Sequence, residues 1–466
     1  MQRITLLTIA LFVGSTLLFG QQKQAPPEGG QPKNFNLPKR QLITLDNGLK
    51  ASMVPYGTIP KATVSVVVRT GNMHEGPNEV WLSDLLAELL KEGTTSRTAA
   101  QLSEEVARMG GSLSIASTPN SMTFTGSVLS ENVPALVQLL AEVVQSPRLP
   151  ASEVDRLKAS LKRQLNVQKA QPQSQANEKF LAAMFPDQPY GRAYPTEAML
   201  DSYDLAKVRS FYEAQYGAAR THVYVAGHFD PIAAESAVRK SFSNWKKGPA
   251  VRIPEARPAA GKGFSVIDRP GAPQSTILIG LPVIDPTHPD YVALQVTNAL
   301  LGGSFASRIT SNIRENKGYT YSPFSQVAPR YRSGTWAEQA DVTTEHTEAS
   351  LKEIISEVNK LQAEAPPKDE LEGIQNYQAG IFVLQNSNPN GIIGQLSFID
   401  FHGLDESYLT NYVKNVLSVT PQKVQEMARK YIRDEDMTLV VVGDQKKIDK
   451  QVESFKPALS RPQSSK

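Results

Sequence analysis

Two acidic side chains, Asp84 and Glu88, lie four residues apart in a leucine-rich stretch with the spacing of a helix. Residues at i and i+4 share one face of a helix, so the two carboxylates could bind a hard cation through oxygen. The alternative is a solvated or salt-bridged helix face, because the pair lacks the further ligands that such a site needs. The chain has no cysteine, and its six histidines are never four residues apart, which excludes thiolate sites and helix-borne histidine pairs.

No other catalytic arrangement is apparent in the sequence. We find no Ser/His/Asp arrangement, no glycine-rich phosphate loop and no dinucleotide fingerprint, which disfavours an independent enzyme with a different active site. His222 and His228 flank an apolar strand and are predicted to be structural or surface residues. The net charge is only +3, without a long basic block, so nucleic-acid binding has little support.

The acidic pair belongs to a predicted helix between clear boundary signals. Leucines at helical spacing predict a helix over Trp81–Lys91, and Gly93 stands where a C-terminal cap belongs. Thr98 and Gln101 form the pattern of a capping box that opens the next helix. A β-branched strand over Ala62–Arg69 precedes this region.

Both halves of the chain end in the same way, which predicts a duplicated domain. Val208–Tyr216 is a predicted helix followed by a strand at Thr221–Gly227, and Val424–Tyr431 is a helix followed by a strand at Thr438–Gly443. The two pairs are separated by about 216 residues. Proline-rich residues 249–262 break the composition between them and are predicted to be a linker.

The N-terminus has the composition of an export signal. A positively charged start and an apolar run over Ile4–Phe19 predict a signal peptide at residues 1–20, and therefore a periplasmic or secreted protein. An uncleaved membrane anchor is the alternative. The predicted organisation continues with a disordered tether at 21–39, domains at 40–248 and 263–450, and a flexible tail at 451–466.

The stretch that begins at Asp84 resembles the zinc helix of the pitrilysin/insulinase-type metallopeptidases. In that family the helix reads His-x-x-Glu-His, followed by a few apolar residues and then Gly-Thr. Counting back from Gly93-Thr94 aligns the two family histidines with Asp84 and Glu88, and the catalytic glutamate with Ala87. All three functional positions therefore differ from the family pattern.

The third zinc ligand of the family is a glutamate on a later helix, which aligns here with Gln164 in the predicted helix Glu153–Gln168. An amide is a poor substitute for a carboxylate in a zinc site. The resemblance therefore implies that this chain has no zinc site and no other cofactor. With Ala87 in place of the general base, it also implies no catalytic residues of its own.

A segment of the second half resembles the family's substrate-binding segment, in which an arginine and a tyrosine stand seven residues apart. Arg314 and Tyr321 have this separation, and Gly318 lies between them at the matching position. A phenol can donate to a developing oxyanion, and a guanidinium can hold a peptide carbonyl. Alternatively, Arg314 is a surface helix residue and Tyr321 a strand residue that packs in the sheet.

Three further segments support the resemblance: Leu45–Leu49, Gln188–Gly191 and Leu300–Arg308. The fold that it implies is α+β, with two homologous domains that are each a mostly antiparallel sheet backed by helices. Two such domains form a half-shell, and two half-shells enclose a chamber.

The combination of a lost zinc motif and a kept Arg/Tyr pair resembles the zinc-lacking half of heterodimeric bacterial members and of mitochondrial processing peptidase. This implies a non-catalytic subunit that supplies Arg314 and Tyr321 to a zinc-bearing partner acting on peptides or unfolded segments. The alternative is an inert structural or peptide-binding scaffold of the same fold.

Overall fold

A computed structural model of the chain describes residues 35–259 and 263–456. The predicted signal peptide at 1–20 and most of the predicted tether lie outside the described residues. The described residues form an α+β fold with two sheets, each covered by helices, as predicted.

The first two strands of the first half are joined by a tight turn at Asn47-Gly48, in which Gly48 adopts a φ of 89°. Thr98 and Gln101 form the predicted capping box at the start of the second helix. The strands and helices of this half are β1 Gln41–Thr44, β2 Lys50–Pro55, β3 Lys61–Val68, α1 Leu82–Leu90, α2 Ala99–Arg108, β4 Ser112–Ser117, β5 Met122–Leu129, α3 Val133–Gln145, α4 Ala151–Ala170, α5 Pro172–Met184, α6 Glu197–Asp201, α7 Leu205–Gln215, β6 Thr221–Gly227 and α8 Pro231–Phe242.

Among the described residues, the second half contains five strands and eight α-helices, against six strands and eight α-helices in the first. These elements are β7 Phe264–Asp268, β8 Gln274–Val283, α9 Tyr291–Leu301, β9 Phe324–Arg330, β10 Ser333–Thr343, α10 Thr347–Ala363, α11 Lys368–Gln385, α12 Pro389–His402, α13 Ser407–Thr410, α14 Tyr412–Leu417, α15 Pro421–Tyr431, β11 Thr438–Gly443 and α16 Gln445–Val452.

The strand orders of the two sheets show the same architecture twice. The first sheet has the order β1-β2-β6-β3-β5-β4 and the second has the order β7-β11-β8-β10-β9. In each sheet one neighbouring pair is parallel, β2 with β6 and β7 with β11, and the other pairs are antiparallel. Apart from the added edge strand β1, the strands of one sheet correspond in order and direction to those of the other.

The two halves exchange one helix each. Helix α12 of the second half packs against β6 and β3 of the first sheet, and α5 of the first half packs against β11 and β8 of the second sheet. Val67 and Tyr224 of the first sheet are thereby buried in the core of the second half. Phe180 of α5 is buried with Val440 of the second sheet. This exchange covers sheet faces that would otherwise expose apolar side chains.

The segments predicted to be flexible are more ordered than their composition indicates. The described part of the linker is tied to both halves, because the Ala256 amide donates to Tyr331 and the Ala259 amide donates to Met184. The predicted tail begins too early, since Val452 and Phe455 are buried in the second core. Phe35, assigned to the tether, packs edge-on against a phenylalanine of α11. In each case apolar side chains find partners that are distant in sequence.

Over residues 35–259 and 263–456, no helix has the length and apolar character needed to cross a membrane.

Candidate functional site

Helix α1 carries the three changed positions of the predicted zinc motif. Ala87 is buried in the core of the first half, while Asp84 and Glu88 lie on the partly exposed face. Gly93 follows the helix with a φ of 102°, and a Cβ there would come within 2.4 Å of the Arg97 carbonyl oxygen. The buried face consists of leucines: Leu82, Leu85, Leu86, Leu89 and Leu90.

Asp84 is held by a hydrogen-bond network at the start of α1. The Asn72 amide donates to Asp84 Oδ2 at 2.7 Å and also contacts Glu75 Oε1 at 3.1 Å. Glu75 Oε1 accepts from the Ser83 hydroxyl at 2.6 Å and from the Ser83 backbone amide at 2.8 Å. The Asp84 carboxylate is therefore already engaged by the protein.

Desolvation in this network raises the pKa of both carboxyl groups. Burial raises the pKa of Glu75 to about 7, against the hydrogen bonds from Ser83 that lower it. Burial also raises the pKa of Asp84, and the amide of Asn72 opposes that shift. At such a carboxyl a proton competes more strongly with a metal ion, because the ligand must be deprotonated to bind.

The remaining positions of the predicted motif are either paired with another residue or exposed to solvent. Glu88 accepts a hydrogen bond from Lys91 at 2.6 Å, and Gln164 is exposed on α4. Two carboxylates with their own partners and one exposed amide do not fit a zinc ion, which prefers imidazole, thiolate or free carboxylate in a tetrahedral site. Within the described ranges, no group of three or more metal-ligating side chains occurs. The hard-cation alternative for Asp84 and Glu88 therefore gains no support.

Arg314 and Tyr321 are in contact with each other at the protein surface. The Arg314 guanidinium lies 4.8 Å from the centre of the Tyr321 ring and 4.4 Å from the centre of the Phe305 ring. Phe305 is 66% exposed and Tyr321 is 78% exposed. We call these three residues the aromatic–arginine stack. The alternative in which Tyr321 packs inside the sheet is wrong, because its ring is mostly in solvent.

Local structure explains how the stack forms. Arg314 lies in a π-helical segment, Thr310–Asn316, whose wider turns are often found at functional sites. Tyr321 follows the left-handed Gly318 and lies three residues before the edge strand β9. The Thr320 hydroxyl donates to the Asp341 carbonyl at 2.7 Å, which anchors the segment to β10. The sequence did not single out Phe305, although it lies within the segment of family resemblance.

A buried glutamate lies behind this surface. Glu338 on β10 is fully buried, and its pKa is raised well above the usual value by burial. The Phe324 backbone is the one group that opposes this shift, and neither carboxyl oxygen has a side-chain partner among the described residues. A Cβ on Gly302 would come within 2.5 Å of Glu338 Oε2 and of Ser325 Oγ, so this close approach requires glycine.

The structure brings together a serine, a histidine and an aspartate that the sequence did not connect. The Ser52 hydroxyl contacts His222 Nε2 at 2.7 Å, and His222 Nδ1 lies 3.5 Å from Asp400 Oδ2. Ser52 on β2 and His222 on β6 are neighbours in the first sheet, whereas Asp400 arrives on the exchanged helix α12. The expectation that the chain has no Ser/His/Asp arrangement is therefore wrong, because the three side chains lie in contact.

The burial and the hydrogen bonds of these three residues indicate a structural role. Ser52 is fully buried, so a substrate could not reach its oxygen, and that oxygen also accepts from Arg40 Nε at 2.8 Å. Asp400 is held by two hydrogen bonds from Arg40 and by one from the Tyr224 hydroxyl. These bonds join the first sheet to helix α12 and so fix one half against the other.

The buried His222 predicts an acid-sensitive fold. Burial lowers the pKa of His222 from 6.5 to about 3, so only the unfolded chain takes up this proton between those values. Stability is fully present above pH 6.5 and decreases as the pH falls toward 3, by about 2 kcal/mol at pH 5. We expect His222→Gln to reduce this difference, measured by urea unfolding at pH 7 and pH 5. The exposed His228→Gln is the matched control. An equal loss of unfolding free energy between pH 7 and pH 5 in both variants would contradict the assignment of this acid sensitivity to His222.

Family models match most of the chain. A model described as insulinase (peptidase family M16) matches residues 55–196, and a model described as the peptidase M16 inactive domain matches residues 202–377. The first match includes α1, and the second includes the aromatic–arginine stack.

Similar proteins are found among bacterial sequences and solved structures. A protein of Rickettsia felis described as an uncharacterized zinc protease is 24% identical over 76% of this chain and 84% of its own length. One of Streptomyces coelicolor is 22% identical over 90% of this chain and 92% of its own length. A peptidase M16 inactive domain from Pseudomonas fluorescens has a TM-score of 0.81 at 23% identity, covering 87% of this chain and 98% of that one. A protease from Helicobacter pylori also has a TM-score of 0.81, at 20% identity over 88% of this chain and 100% of that one.

Proposed function

Because this chain belongs to the insulinase family of peptidases, family M16, we propose that it is the non-catalytic subunit of a heterodimeric zinc peptidase. In this proposal the zinc ion and the residues that activate water belong to a partner subunit of the same family. This chain supplies Arg314 and Tyr321 to the partner's active site. The substrates are peptides or unfolded segments.

The aromatic–arginine stack is the observation that carries this proposal. A stable fold gains little from two large rings left mostly in solvent, and exposed aromatic groups next to an arginine are typical of binding surfaces. The rings of Phe305 and Tyr321 hold the guanidinium of Arg314 between them, which limits its conformations before a ligand arrives. The stack is thus arranged to contact another molecule.

The chemistry of the stack suits a peptide that is being cleaved. The Tyr321 hydroxyl can donate to the oxygen that becomes negatively charged when a peptide carbonyl is attacked. The Arg314 guanidinium can donate several hydrogen bonds in a rigid plane to neighbouring carbonyl oxygens. Both groups stabilise charge without transferring a proton themselves, which is consistent with a supporting subunit.

Exposed sheet edges offer a way to hold an extended substrate. Strand β9 begins three residues after Tyr321 and pairs on one side only, with β10, among the described residues. Strand β4 ends the first sheet in the same way and borders a cavity of about 450 Å³ between itself and α2. A peptide that adds to such an edge is recognised through its backbone, so many sequences would be accepted.

The second candidate is a scaffold of the same fold without a peptidase partner. Its support is the network around Asp84, which shows that the start of α1 is stabilised by contacts within the chain. The two candidates differ in the role of the stack. Co-expression with a paralogue that carries an intact His-x-x-Glu-His helix, followed by co-purification and cleavage of a quenched fluorescent peptide, tests them. A stable complex that is active only when both chains are present supports the first, and absence of a complex supports the scaffold.

The purified chain alone is expected to hold no stoichiometric zinc. The donor set at Asp84, Glu88 and Gln164 lacks imidazole, and the position of the general base is occupied by Ala87. Metal analysis after dialysis measures this, with the zinc-bearing paralogue treated in parallel as the positive control. One tightly held zinc per chain would contradict the proposed division of roles.

For the location, we propose the periplasm or the exterior of the cell, through the signal peptide at residues 1–20. Sequencing the N-terminus of the mature protein tests this proposal. A retained Met1 in the membrane fraction would instead favour the uncleaved anchor.

A further inference from the structure

A cavity of about 270 Å³ lies where helix α12 meets the first sheet. Residues of both halves and of the linker form its walls, and we call it the seam cavity. Neither the changed positions of α1 nor the aromatic–arginine stack contribute to it. Its lining consists of Arg40, Leu42, Gly48, Lys50, Arg69, Ala219, Arg220, Thr221, His222, Val251, Ile253, Asp400 and Phe401.

Positive charge predominates in the seam cavity. Four cationic side chains line it, and Asp400 is the only carboxylate among its lining residues. Arg40 pairs with Asp400 at 2.7 Å and thereby neutralises that carboxylate. Across the described parts of the chain, no carboxylate lies within 4.0 Å of the charged nitrogens of Lys50, Arg69 or Arg220. Three further cations therefore share the cavity with a single carboxylate, which is already paired with Arg40.

Arg69 has few partners within the protein. Its guanidinium donates to the Ser397 carbonyl at 3.2 Å and lies 5.3 Å from the centre of the Phe401 ring. Tyr224 and Asp400 also stabilise its charge. Burial lowers the pKa of Arg69, which shows that its charge is poorly solvated where it stands. Arg220 is different, because it donates to the Arg69 carbonyl and to Gln215 and so supports the backbone beneath the cavity.

The cationic side chains line the same cavity. Arg40, Arg69 and Lys50 are all among its lining residues, as is His222. A half-buried arginine whose nearby carboxylate is already paired with another arginine is unfavourable, because desolvation of a charge must be offset by a partner. An anion placed between Lys50 and Arg69 would provide that partner.

Two apolar side chains lie at the rim of the seam cavity. Leu42 is 53% exposed and Val251 is 39% exposed, and both line the cavity beside the charged groups. The volume is larger than an inorganic anion requires and approaches that of a small-ligand pocket. An occupant with both a charged and an apolar portion fits these walls better than an inorganic ion.

We propose that the seam cavity binds a small organic anion, with its phosphate or carboxylate group between Lys50 and Arg69 and its apolar portion against Leu42 and Val251. The occupant would contact the first sheet, the linker and helix α12 together. Binding would therefore stabilise the arrangement of the two halves. This site is independent of the proposed peptidase role.

Isothermal titration of the full chain with hexyl phosphate, hexanoate and inorganic phosphate tests the proposal. We expect saturable one-to-one binding of hexyl phosphate or hexanoate, and the stronger of the two identifies the preferred charged group. Higher salt should weaken binding, since the attraction is electrostatic. Absence of saturable binding by all three compounds would overturn the proposal. If inorganic phosphate binds as tightly as hexyl phosphate, the proposal that the ligand is an organic anion would be overturned.

Lys50→Gln is the decisive variant, because Lys50 is exposed at the start of β2 and its loss empties no core. Removing one charged hydrogen bond should weaken binding at least about 10-fold. Lys61→Gln is the matched control, since Lys61 is also an exposed lysine that opens a strand but lies at the opposite end of β6. Equal binding by both variants would overturn the assignment of Lys50. Arg69→Gln should weaken binding as well, and Lys50→Gln decides the matter if that variant does not fold.

Discussion

Replacing Tyr321 with phenylalanine is expected to lower the rate of peptide cleavage by the two-subunit complex about 10²–10³-fold. The change removes one hydroxyl donor and keeps the ring, so the stacking of Arg314 on that ring is retained. Because the hydroxyl would act on charge that develops during the reaction, the loss should appear in kcat more than in KM. The measurement is steady-state cleavage of a quenched fluorescent peptide by the co-purified complex.

A second exposed tyrosine supplies the control. Tyr377 on α11 is 47% exposed and lies outside the aromatic–arginine stack, so Tyr377→Phe should leave the rate unchanged. Both variants should fold and bind the partner, since neither substitution empties a core. Full activity of the Tyr321→Phe complex would show that the hydroxyl has no role in cleavage and would favour a purely structural role of this chain in the complex.

Replacing Arg314 with alanine is expected to raise KM for the peptide about 10–100-fold, with a smaller effect on kcat. A hydrogen bond from a charged donor contributes about 1.5–3 kcal/mol, and the guanidinium holds the substrate before and during the reaction. The substitution also leaves Phe305 and Tyr321 without the cation between them. Titration of the substrate against the variant complex measures the effect.

The lysine variant separates charge from shape. Arg314→Lys keeps the positive charge but loses the planar set of donors, so it should recover only part of the affinity. Arg108→Ala, an exposed arginine on α2 that pairs with Glu104, is the control for removing a surface cation. An unchanged KM in the Arg314→Ala complex would indicate that this guanidinium serves only the local fold.

The two variants together distinguish the proposed functions. A subunit that completes a partner's active site should lose kcat with Tyr321→Phe and affinity with Arg314→Ala. A subunit that contributes only structure to the complex should tolerate both changes while still binding its partner. Complex formation therefore has to be measured beside activity in every case.

Local features of the fold were predictable from the sequence because they depend on neighbouring residues. The capping box of Thr98 and Gln101 and the turn at Asn47-Gly48 are confirmed. The leucine spacing of α1 predicted its buried face, and the helix–strand repeat indicated two homologous halves, which the matching strand orders support. The loss of the zinc motif at Asp84, Ala87 and Glu88 could be recognised by aligning one helix with the family pattern.

The order of the linker and of the C-terminal segment was not predictable from composition. Proline and polar residues indicate a flexible connection, yet single apolar residues such as Val452 and Phe455 are buried once a complementary surface exists. The same applies to Phe35, whose partner lies on α11. Composition does not show where the apolar surfaces lie that bury these residues, because those surfaces are formed by segments distant in sequence.

The sequence by itself determined the helix of the lost motif, the duplicated strands and the separation of Arg314 from Tyr321, because each depends on residues close along the chain. Only the tertiary structure decided that Tyr321 is exposed and stacked on Arg314, and that Ser52, His222 and Asp400 meet. His222 is 170 residues from Ser52, and Asp400 is 176 residues from Tyr224, which donates to it. Such contacts follow from strand pairing and from the exchange of α12 and α5, and the side-chain pattern of a single element does not specify which sheet it will cover.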